Sequence, residues 1–308
     1  MIQSYRADNP SIPVSWLCSA FNLCRASYYA GLKAYSKAEQ RDWEVWQSIC
    51  RFWEQFPGVG YRKLASALSY GEYRIRRILK KYRADQPVTK KRVELHRKIP
   101  NVIKKITHSI QNNPEKQQRG NWVLRDGKNQ YRKVIEPTRP YQLWAGDWKE
   151  VRIPLLGVTV YAFVIIDCFT RQLMGWELSI IKDKQSAIAA SQSAIHRANA
   201  YSCFNPRSLI MHTDQGSAYM ADDYIRYWRN LGVILSTADK GKPTQNPYIE
   251  AFFSLLSRFW LHYHDLLTVY QAKQSLNHFF NLYNSRWPHG SIGNRSPNQK
   301  LQEFIMSQ

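Results

Sequence analysis

The sequence predicts an α/β protein in which a mixed sheet follows an all-α N-terminal part. Two observations support this class. From Tyr141 onward, three strand-like apolar segments in succession give way to alternating helical and strand-like segments. Before residue 90, apolar residues recur at helical spacing with short breaks between the runs. Apolar residues make up 44% of the 308-residue chain, which is enough for a sizeable core.

The first half of the predicted sheet consists of three consecutive strands. Their sequences are YQLWAGDWKEVRI, VTVYAFVIIDCF and RQLMGWELS, with a turn at Thr170–Arg171 before the third. The next segment, DKQSAIAASQSAIHRAN, predicts a helix with Asp183 as its N-cap, because a short side-chain carboxylate can accept from the free amides of the first turn.

The remaining elements alternate. RSLIMHTD predicts a strand, ADDYIRYWRNLG a helix ending at Gly232, VILSTAD a strand, and NPYIEAFFSLLSRFW a helix entered through Pro247. The resulting order, βββαβαβα, matches the ribonuclease-H-like fold and implies helices on the faces of a mixed sheet.

Two short helical pairs precede the sheet, over residues 1–45 and 46–90. In the first, VSWLCSAF is followed by a break near Asn22 and by CRASYYAGLKAY. In the second, GYRKLASAL reaches a turn at Ser69–Gly71 before EYRIRRILKKYR. We interpret both pairs as helix-turn-helix-like modules, the alternative being an ordinary helical hairpin with a basic surface.

The charge of the chain indicates a polyanionic partner. Lys and Arg number 44 against 23 acidic residues, a net charge of +21. No stretch approaches the ~20 apolar residues of a membrane-spanning helix, so we expect nucleic acid rather than a membrane. From Arg74 to Arg139, 20 basic residues stand against five acids, and residues 91–139 form a predicted basic linker. We predict that DNA contacts this stretch, a solvated linker being the alternative; the residues singled out are Arg74, Arg76, Arg77, Lys80, Lys81, Lys90, Lys91 and Arg92.

The cysteines and the N-terminus predict a cytoplasmic location. The five cysteines are odd in number and scattered, without a CxxC pair or zinc-ligand spacing, so we interpret them as reduced thiols. The first residues lack the basic start and apolar run of a signal peptide. We therefore expect a cytoplasmic protein.

Three acidic residues occupy positions suited to metal-dependent chemistry. Asp147 lies within the first predicted strand, Asp214 ends the fourth, and Glu250 lies near the start of the late helix. Cleavage of a phosphodiester requires the phosphate charge to be neutralised and both reacting oxygens to be aligned. Two Mg²⁺ ions about 4 Å apart do this, and Mg²⁺ requires oxygen ligands. Spacing alone would not single out these acids among 23.

The sequence around these acids resembles the DDE transposases of the retroviral-integrase superfamily, and in particular the OrfB-type transposases of the insertion-sequence-3 group. The blocks that carry the resemblance are LWAGDWKEV, HTDQGSAYMADDYIRYWRNLGVILS, KGKPTQNPYIEAFFSLL and YNSRWPHGSIGNRSPNQ. Thirty-five residues separate Asp214 from Glu250, which is the spacing of the family. The resemblance implies a catalytic domain over 140–265, followed by a C-terminal helix and tail over 266–308.

The resemblance also implies an activity. Asp147, Asp214 and Glu250 would hold two Mg²⁺ ions, for which Mn²⁺ substitutes. The enzyme would hydrolyse a phosphodiester at a transposon end and use the freed 3′-OH for strand transfer into target DNA, acting as a homo-oligomer on double-stranded DNA. Two alternatives remain: a nuclease of the same fold without strand transfer, and a domesticated DNA-binding protein whose chemistry is unused.

Several further residues have two interpretations at this stage. Members of the family usually carry Thr-Asp where this chain has Gly146–Asp147, and a smaller residue in place of Trp148. We expect Asp167 to be structural rather than a ligand, whereas His212 would either orient the site or belong to the core. A last group is predicted to contact DNA near the scissile phosphate, with a solvated loop as the rival: Lys240, Lys242 and Asn246.

Overall fold

The computed structural model describes residues 11–82, 137–214, 216–238 and 246–308, together with the backbone of two short strands between residues 106 and 135. The chain divides into two compact units. The first comprises residues 1–54 and 60–87, and the second residues 55–59 and 88–308. Each unit is described by itself.

Four helices make up the described part of the first unit: α1 (Val14–Ala20), α2 (Arg25–Gln55), α3 (Tyr61–Ala67) and α4 (Glu72–Tyr82). The predicted breaks are present, because Asn22 and Ser69 adopt the left-handed conformation between helices, with φ of 51° and 56°. The predicted module boundary between residues 45 and 46 is wrong, since it falls inside α2. Residues 46–55 contain neither Gly nor Pro, so nothing interrupts the helix there.

The core of the helical unit consists of aliphatic side chains from three helices. Ile49 of α2, Leu64 of α3 and Ile75 of α4 are fully enclosed. The ring of Trp46 stacks on Tyr82 with centroids 5.5 Å apart, which adds an aromatic contact between α2 and α4. These contacts bring the long helix against the second helical pair.

The predicted basic linker contains regular structure. Strand β1 (Ile106–Ser109) pairs antiparallel with β2 (Arg132–Ile135), Ile106 opposite Ile135. Four-residue strands leave too little alternation to be recognised in a polar, basic sequence. Lys90, Lys91 and Arg92, which were predicted to contact DNA, lie outside the described residues.

The second unit is built on a five-stranded mixed sheet. Its strands are β3 (Leu143–Ile153), β4 (Val158–Asp167), β5 (Leu173–Ser179), β6 (Ile210–Thr213) and β7 (Ile234–Thr237). Their spatial order is β5-β4-β3-β6-β7. The first three strands form an antiparallel meander, while β6 and β7 run parallel to β3. This arrangement agrees with the predicted ribonuclease-H-like order of elements.

Six helices accompany the sheet in the described part of this unit: α5 (Lys184–Ala198), α6 (Ser217–Met220), α7 (Asp222–Asn230), α8 (Pro247–Leu256), α9 (Val269–Arg286) and α10 (Pro297–Met306). The N-cap of α5 is as predicted, because the Asp183 carboxylate accepts from the Ser186 amide. Gly232, with φ of 76°, follows α7 where the helix was predicted to end. A π-helical turn, Ser257–Leu261, extends α8.

Helix α5 packs directly against the backbone of β5. A Cβ atom added to Gly175 would lie 2.2 Å from the carbonyl oxygen of Ala190 and 2.9 Å from the Cβ of Ala194. Ala187 and Ala198 continue the same row of small, fully buried side chains. Helix and strand therefore approach more closely here than any larger residue would permit.

Helix α9 covers part of β5. The Asn284 side chain accepts from the Leu173 amide at 2.8 Å and donates to the Leu173 carbonyl at 3.0 Å. Farther along, the rings of Phe280 and Trp176 meet edge to face, with centroids 5.0 Å apart. The amphipathic segment TVYQAKQSLNHFFNLYN thus packs against the sheet of the second unit.

Candidate active site

The first acidic residue lies in the middle of the sheet. Asp147 belongs to β3 and is paired with Val164 of β4. Side chains alternate along a strand, so Asp147 shares a face with Ala145, and Ala145 is level with His212 of the neighbouring β6. Strand β6 ends at Thr213, and Asp214 is the next residue. The short parallel strand therefore delivers Asp214 beside the centre of β3.

The Asp147 carboxylate is largely enclosed. Its Oδ1 accepts from the Trp148 amide at 2.7 Å and from the Tyr219 hydroxyl at 3.4 Å. Burial, reinforced by the negative charge of Asp214, raises the pKa of Asp147 to about 7. At neutral pH this site holds a carboxylate whose charge the protein alone does not fully stabilise.

Asp214 has a similar environment. Its Oδ1 accepts from the Gly216 amide at 3.0 Å, and burial raises the pKa of the carboxyl group. A Cβ atom at Gly216 would lie 3.1 Å from that oxygen and 3.0 Å from the Tyr219 ring. The absence of a side chain at this position keeps the space beside the carboxylate open.

Glu250 lies in the first turn of α8, where Pro247 occupies the first helical position as predicted. Asn246, which precedes the helix, donates from Nδ2 to the carbonyl oxygen of Gly146 at 3.2 Å. This bond fixes the start of α8 next to the residue before Asp147. Burial raises the pKa of Glu250 as well.

The three acids are connected in different ways. Asp147 and Asp214 interact directly through their charges. The helix that carries Glu250 is attached to β3 by the hydrogen bond between Asn246 and Gly146. In the part of the chain that the structure describes, no three His, Cys, Asp or Glu side chains are close enough to hold one metal ion. The donor chemistry nevertheless fits Mg²⁺, since all three side chains are carboxylates and Mg²⁺ prefers oxygen ligands.

Two residues near the acids were missed by the sequence reasoning. Tyr219 contacts Asp147, and the positive charge of Lys182 partly offsets the rise in the pKa of Asp147 and of Asp214. Lys182 itself pairs with Glu150 at 3.0 Å. Lys182 stands between β5 and α5, 35 residues from Asp147, so no local pattern links the two. Tyr219 lies within the block HTDQGSAYMADDYIRYWRNLGVILS, but no residue beside it in the sequence indicates a contact with Asp147.

Gly146 accounts for one departure from the usual family pattern. A Cβ atom at this position would lie 2.5 Å from Cε of Met211 and 2.9 Å from Cζ of Phe163. Both of those side chains are fully buried. The core beneath the site therefore fills the space that a threonine would need.

The hydrogen bonds of Asp167 support the expectation that this residue has a structural role. Its carboxylate is fully buried and accepts from three main-chain amides, of Tyr141, Phe169 and Thr170, at 2.7–3.0 Å. The Trp144 indole and the Thr170 hydroxyl also donate to it. His212 is equally buried, and its Nδ1 lies 2.7 Å from the Ser236 hydroxyl. These contacts favour the core interpretation of His212.

The predicted DNA-contacting residues fall into several groups. Lys240 and Lys242 lie outside the described residues. Asn246 is only 3% exposed, so its prediction as a surface contact with DNA is wrong. Its side-chain amide instead donates a hydrogen bond to the main-chain oxygen of Gly146. On α4, Arg77 and Lys81 form ion pairs with acids of α2, and Arg74 donates to the carbonyl of Arg41 at 3.3 Å. The other two cations of that helix, Arg76 and Lys80, are exposed and form no ion pair with an acid of the described residues.

Comparisons with known families agree with this geometry. A family described as integrase core domain matches residues 137–243, and a second family with the same description matches residues 231–297. The two matches together contain Asp147, Asp214 and Glu250 and cover the five-stranded sheet. This chain belongs to the retroviral-integrase superfamily.

Curated relatives of this integrase core are bacterial. A transposase for insertion sequence element IS904 of Lactococcus lactis is 30% identical over 172 residues, covering 55% of this chain and 64% of the relative. Transposase InsF for insertion sequence IS3A of Escherichia coli is 29% identical over 161 residues, covering 52% and 54%. The matched segment thus spans less than two thirds of either relative.

Solved structures that are similar to this chain include the HTLV-2 integrase catalytic core domain in complex with magnesium. The two chains are 14% identical, the match covers 53% of this chain and 98% of that domain, and the TM-score is 0.41.

In the described residues of the present chain, none of the helices is sufficiently long and apolar to span a membrane.

Proposed function

We propose that this protein is a DNA transposase that cleaves a phosphodiester at transposon ends and joins the freed 3′-OH to target DNA. Asp147, Asp214 and Glu250 are the proposed catalytic residues. Membership of the integrase superfamily and the two transposase relatives support the DNA chemistry. The proposal extends this to strand transfer and to the three named carboxylates.

The observation that carries the proposal is the coupling of Asp147 to Asp214. Two partly buried carboxylates repel each other, and the pKa of Asp147 rises to about 7 as a result of burial and of this repulsion. A site of this kind gains stability when a divalent cation neutralises both charges. Lys182 offsets this repulsion only in part, since it is paired with Glu150, and among the described residues no cation forms an ion pair with Asp147 or Asp214.

Asp147, Asp214 and Glu250 are the residues that would hold two Mg²⁺ ions, with Mn²⁺ as a substitute. When bound, the ions supply charge neutralisation at the phosphate and alignment of the attacking and leaving oxygens. The protein's own groups hold the carboxylates in place. Trp148 and Tyr219 donate to Asp147, Gly216 donates to Asp214, and Asn246 secures the helix that carries Glu250.

The charge of the chain is suited to double-stranded DNA. A net charge of +21 favours binding to phosphates through counterion release, and 20 of the basic residues lie between Arg74 and Arg139. We propose that the N-terminal helices and this basic region bind transposon ends. Holding two transposon ends together usually takes more than one subunit, so we propose a homo-oligomer on DNA.

Labelled duplexes from the DNA flanking the gene test the proposal. The full chain would be incubated with Mg²⁺, Mn²⁺ or EDTA, and cleaved and joined strands would be separated on denaturing gels. We expect metal-dependent products from wild type and none from Asp147→Asn, Asp214→Asn or Glu250→Gln. Asp265→Asn, a change at an exposed acid outside the site, serves as the charge-matched control.

Each outcome has a distinct meaning. Cleaved and joined products that disappear in the three site variants support transposition. Cleaved products without joined products would indicate a nuclease of the same fold. DNA binding without any product from wild type would contradict the proposed chemistry and leave a DNA-binding protein.

A further inference from the structure

Helix α4 carries five basic residues, and its contacts divide them into two sets. On the side facing α2, Arg77 pairs with Asp42 at 2.5 Å, and Lys81 pairs with Glu39 at 3.0 Å and lies 3.9 Å from Asp42. The Asp42 side chain is only 11% exposed. The acids of α2 therefore neutralise these two cations, and the pairs hold α4 against α2.

Arg74 belongs to the same, occupied side. Its guanidinium donates to the carbonyl of Arg41 at 3.3 Å and lies 5.2 Å from the centre of the Tyr70 ring. The side chain is half-buried. Its hydrogen-bonding capacity is partly used within the helical unit, so it is not a free cation on the surface.

A solvent-exposed face of α4 lies next to the side that carries these ion pairs. Tyr73, Arg76 and Lys80 follow each other at spacings of three and four residues, so they share one face of the helix. Tyr73 is 82% exposed, and Arg76 and Lys80 are exposed as well. Within the described residues, neither of the two cations is within ion-pair distance of an acid, including Glu72 of the same helix.

Helix α3 adds a further cation to this exposed face. The guanidinium of Arg76 lies 5.2 Å from the centre of the Tyr61 ring, and that of Arg62 lies 5.7 Å from the same ring. The Arg62 Nε also donates to the Tyr61 hydroxyl at 3.2 Å. The Tyr61 ring thus contacts two guanidinium groups, whose like charges repel each other in the free protein.

We propose that Arg62, Tyr73, Arg76 and Lys80 form the surface of the helical unit that contacts the phosphates of double-stranded DNA, whereas Arg77 and Lys81 maintain the fold. This inference rests on the proposed DNA-binding function and assigns it to particular residues. Cations that are not paired with an acid of the described residues, as Arg62, Arg76 and Lys80 are not, release condensed counterions from DNA when they bind phosphates. Cations already paired with acids contribute less, since a DNA contact would require breaking the existing pair.

The test measures the affinity of the full chain for a duplex from the flanking DNA at several NaCl concentrations. Arg76→Gln and Arg77→Gln form a matched pair, because they remove the same charge from adjacent positions. We expect Arg76→Gln, Lys80→Gln and Arg62→Gln each to reduce the slope of log affinity against log salt by about one. Arg77→Gln should leave that slope unchanged and lower the melting temperature.

A second variant tests the assignment even if Arg77→Gln does not fold. Asp42→Asn removes the acid and keeps Arg77 and Lys81, so we expect equal or tighter DNA binding with a lower melting temperature. An unchanged slope in Arg76→Gln, or equal losses in Arg76→Gln and Arg77→Gln, would overturn the assignment. Those results would leave the proposed catalysis intact, because the strand-cleavage assay with Asp214→Asn tests it separately.

Discussion

The Asn246 side-chain amide donates a hydrogen bond to the main-chain oxygen of Gly146, at 3.2 Å. One partner precedes Asp147 on β3, and the other immediately precedes the helix that carries Glu250. The Glu250 amide in turn bonds to the Asn246 carbonyl at 3.3 Å. A single buried residue therefore connects the strand of one proposed ligand with the helix of another.

Replacing Asn246 tests this connection. Asn246→Ala should lower the rate of strand cleavage by about ten- to a hundredfold, because small displacements of catalytic groups are costly. The free energy of unfolding should fall by about 1 kcal/mol, the usual value for one hydrogen bond. Single-turnover kinetics and urea denaturation measure the two effects. Asn281→Ala, at an exposed position of α9, is the control, and equal kinetics in both variants would rule out the proposed connection.

The raised pKa of Asp147 predicts a pH-dependent stability. The folded-state pKa is about 7, above the ordinary value of 3.8, so the folded chain binds the proton more tightly than the unfolded chain does. Stability should therefore fall as the pH rises from about 4 to about 7 and remain reduced above that. In EDTA at pH 8, Asp147→Asn should be more stable than wild type by on the order of 2 kcal/mol.

The same variant has a metal-dependent signature. Mg²⁺ should raise the melting temperature of wild type, because a ligand that binds the folded state stabilises it, and should have a smaller effect on Asp147→Asn. Thermal denaturation at pH 5 and pH 8, with Mg²⁺ or EDTA, provides the comparison. If Asp147→Asn were less stable than wild type at pH 8 in EDTA, the carboxylate would be a structural group and the interpretation of the site would fail.

Asp167 is predicted to matter for folding alone. Its carboxylate accepts from five donors, and an asparagine at this position would turn an amide group toward some of them. Asp167→Asn should lower the free energy of unfolding by about 2–4 kcal/mol. Urea denaturation measures this loss, with Asp265→Asn as the control. The Mg²⁺-induced rise in melting temperature should persist; its disappearance would instead indicate a role in metal binding.

The close approach of α5 to β5 predicts a strong effect at Gly175. Gly175→Ala places a methyl group 2.2 Å from the Ala190 carbonyl oxygen, so strand and helix must separate. We expect a loss of about 3 kcal/mol in the free energy of unfolding. Gly290→Ala, where the nearest atom to an added Cβ is 3.8 Å away, should change stability little. Similar denaturation midpoints for the two variants would contradict the packing described.

The sheet and its order could be predicted from the sequence because its signals are local. Strand β4 is a nearly continuous apolar run, and Asp183 precedes a helical pattern at the position of an N-cap. The positions of Asp147, Asp214 and Glu250 followed from the same segments. These elements have the length or the capping residue that a sequence pattern requires.

Other features depend on contacts that are distant in sequence. The length of α2 was missed although Val45, Ile49 and Phe52 recur at helical spacing and neither Gly nor Pro interrupts residues 46–55. Asn246 was expected to face DNA, since polar residues of a loop are usually exposed, yet the main chain of Gly146, 100 residues away, binds it. Tyr219 and Lys182 likewise reach the acids only through the fold.

Where Asn284 of α9 bonds to both main-chain groups of Leu173, the outer strand of the sheet no longer has those groups available for another chain. Phe280, packed on Trp176, and Lys273, paired with Glu177 at 2.7 Å, continue the cover along the same strand. Two copies of this protein therefore cannot join at this stretch of β5 into one sheet running through both subunits. If the proposed homo-oligomer forms on DNA, its subunits must therefore meet through other surfaces than this stretch of the sheet edge.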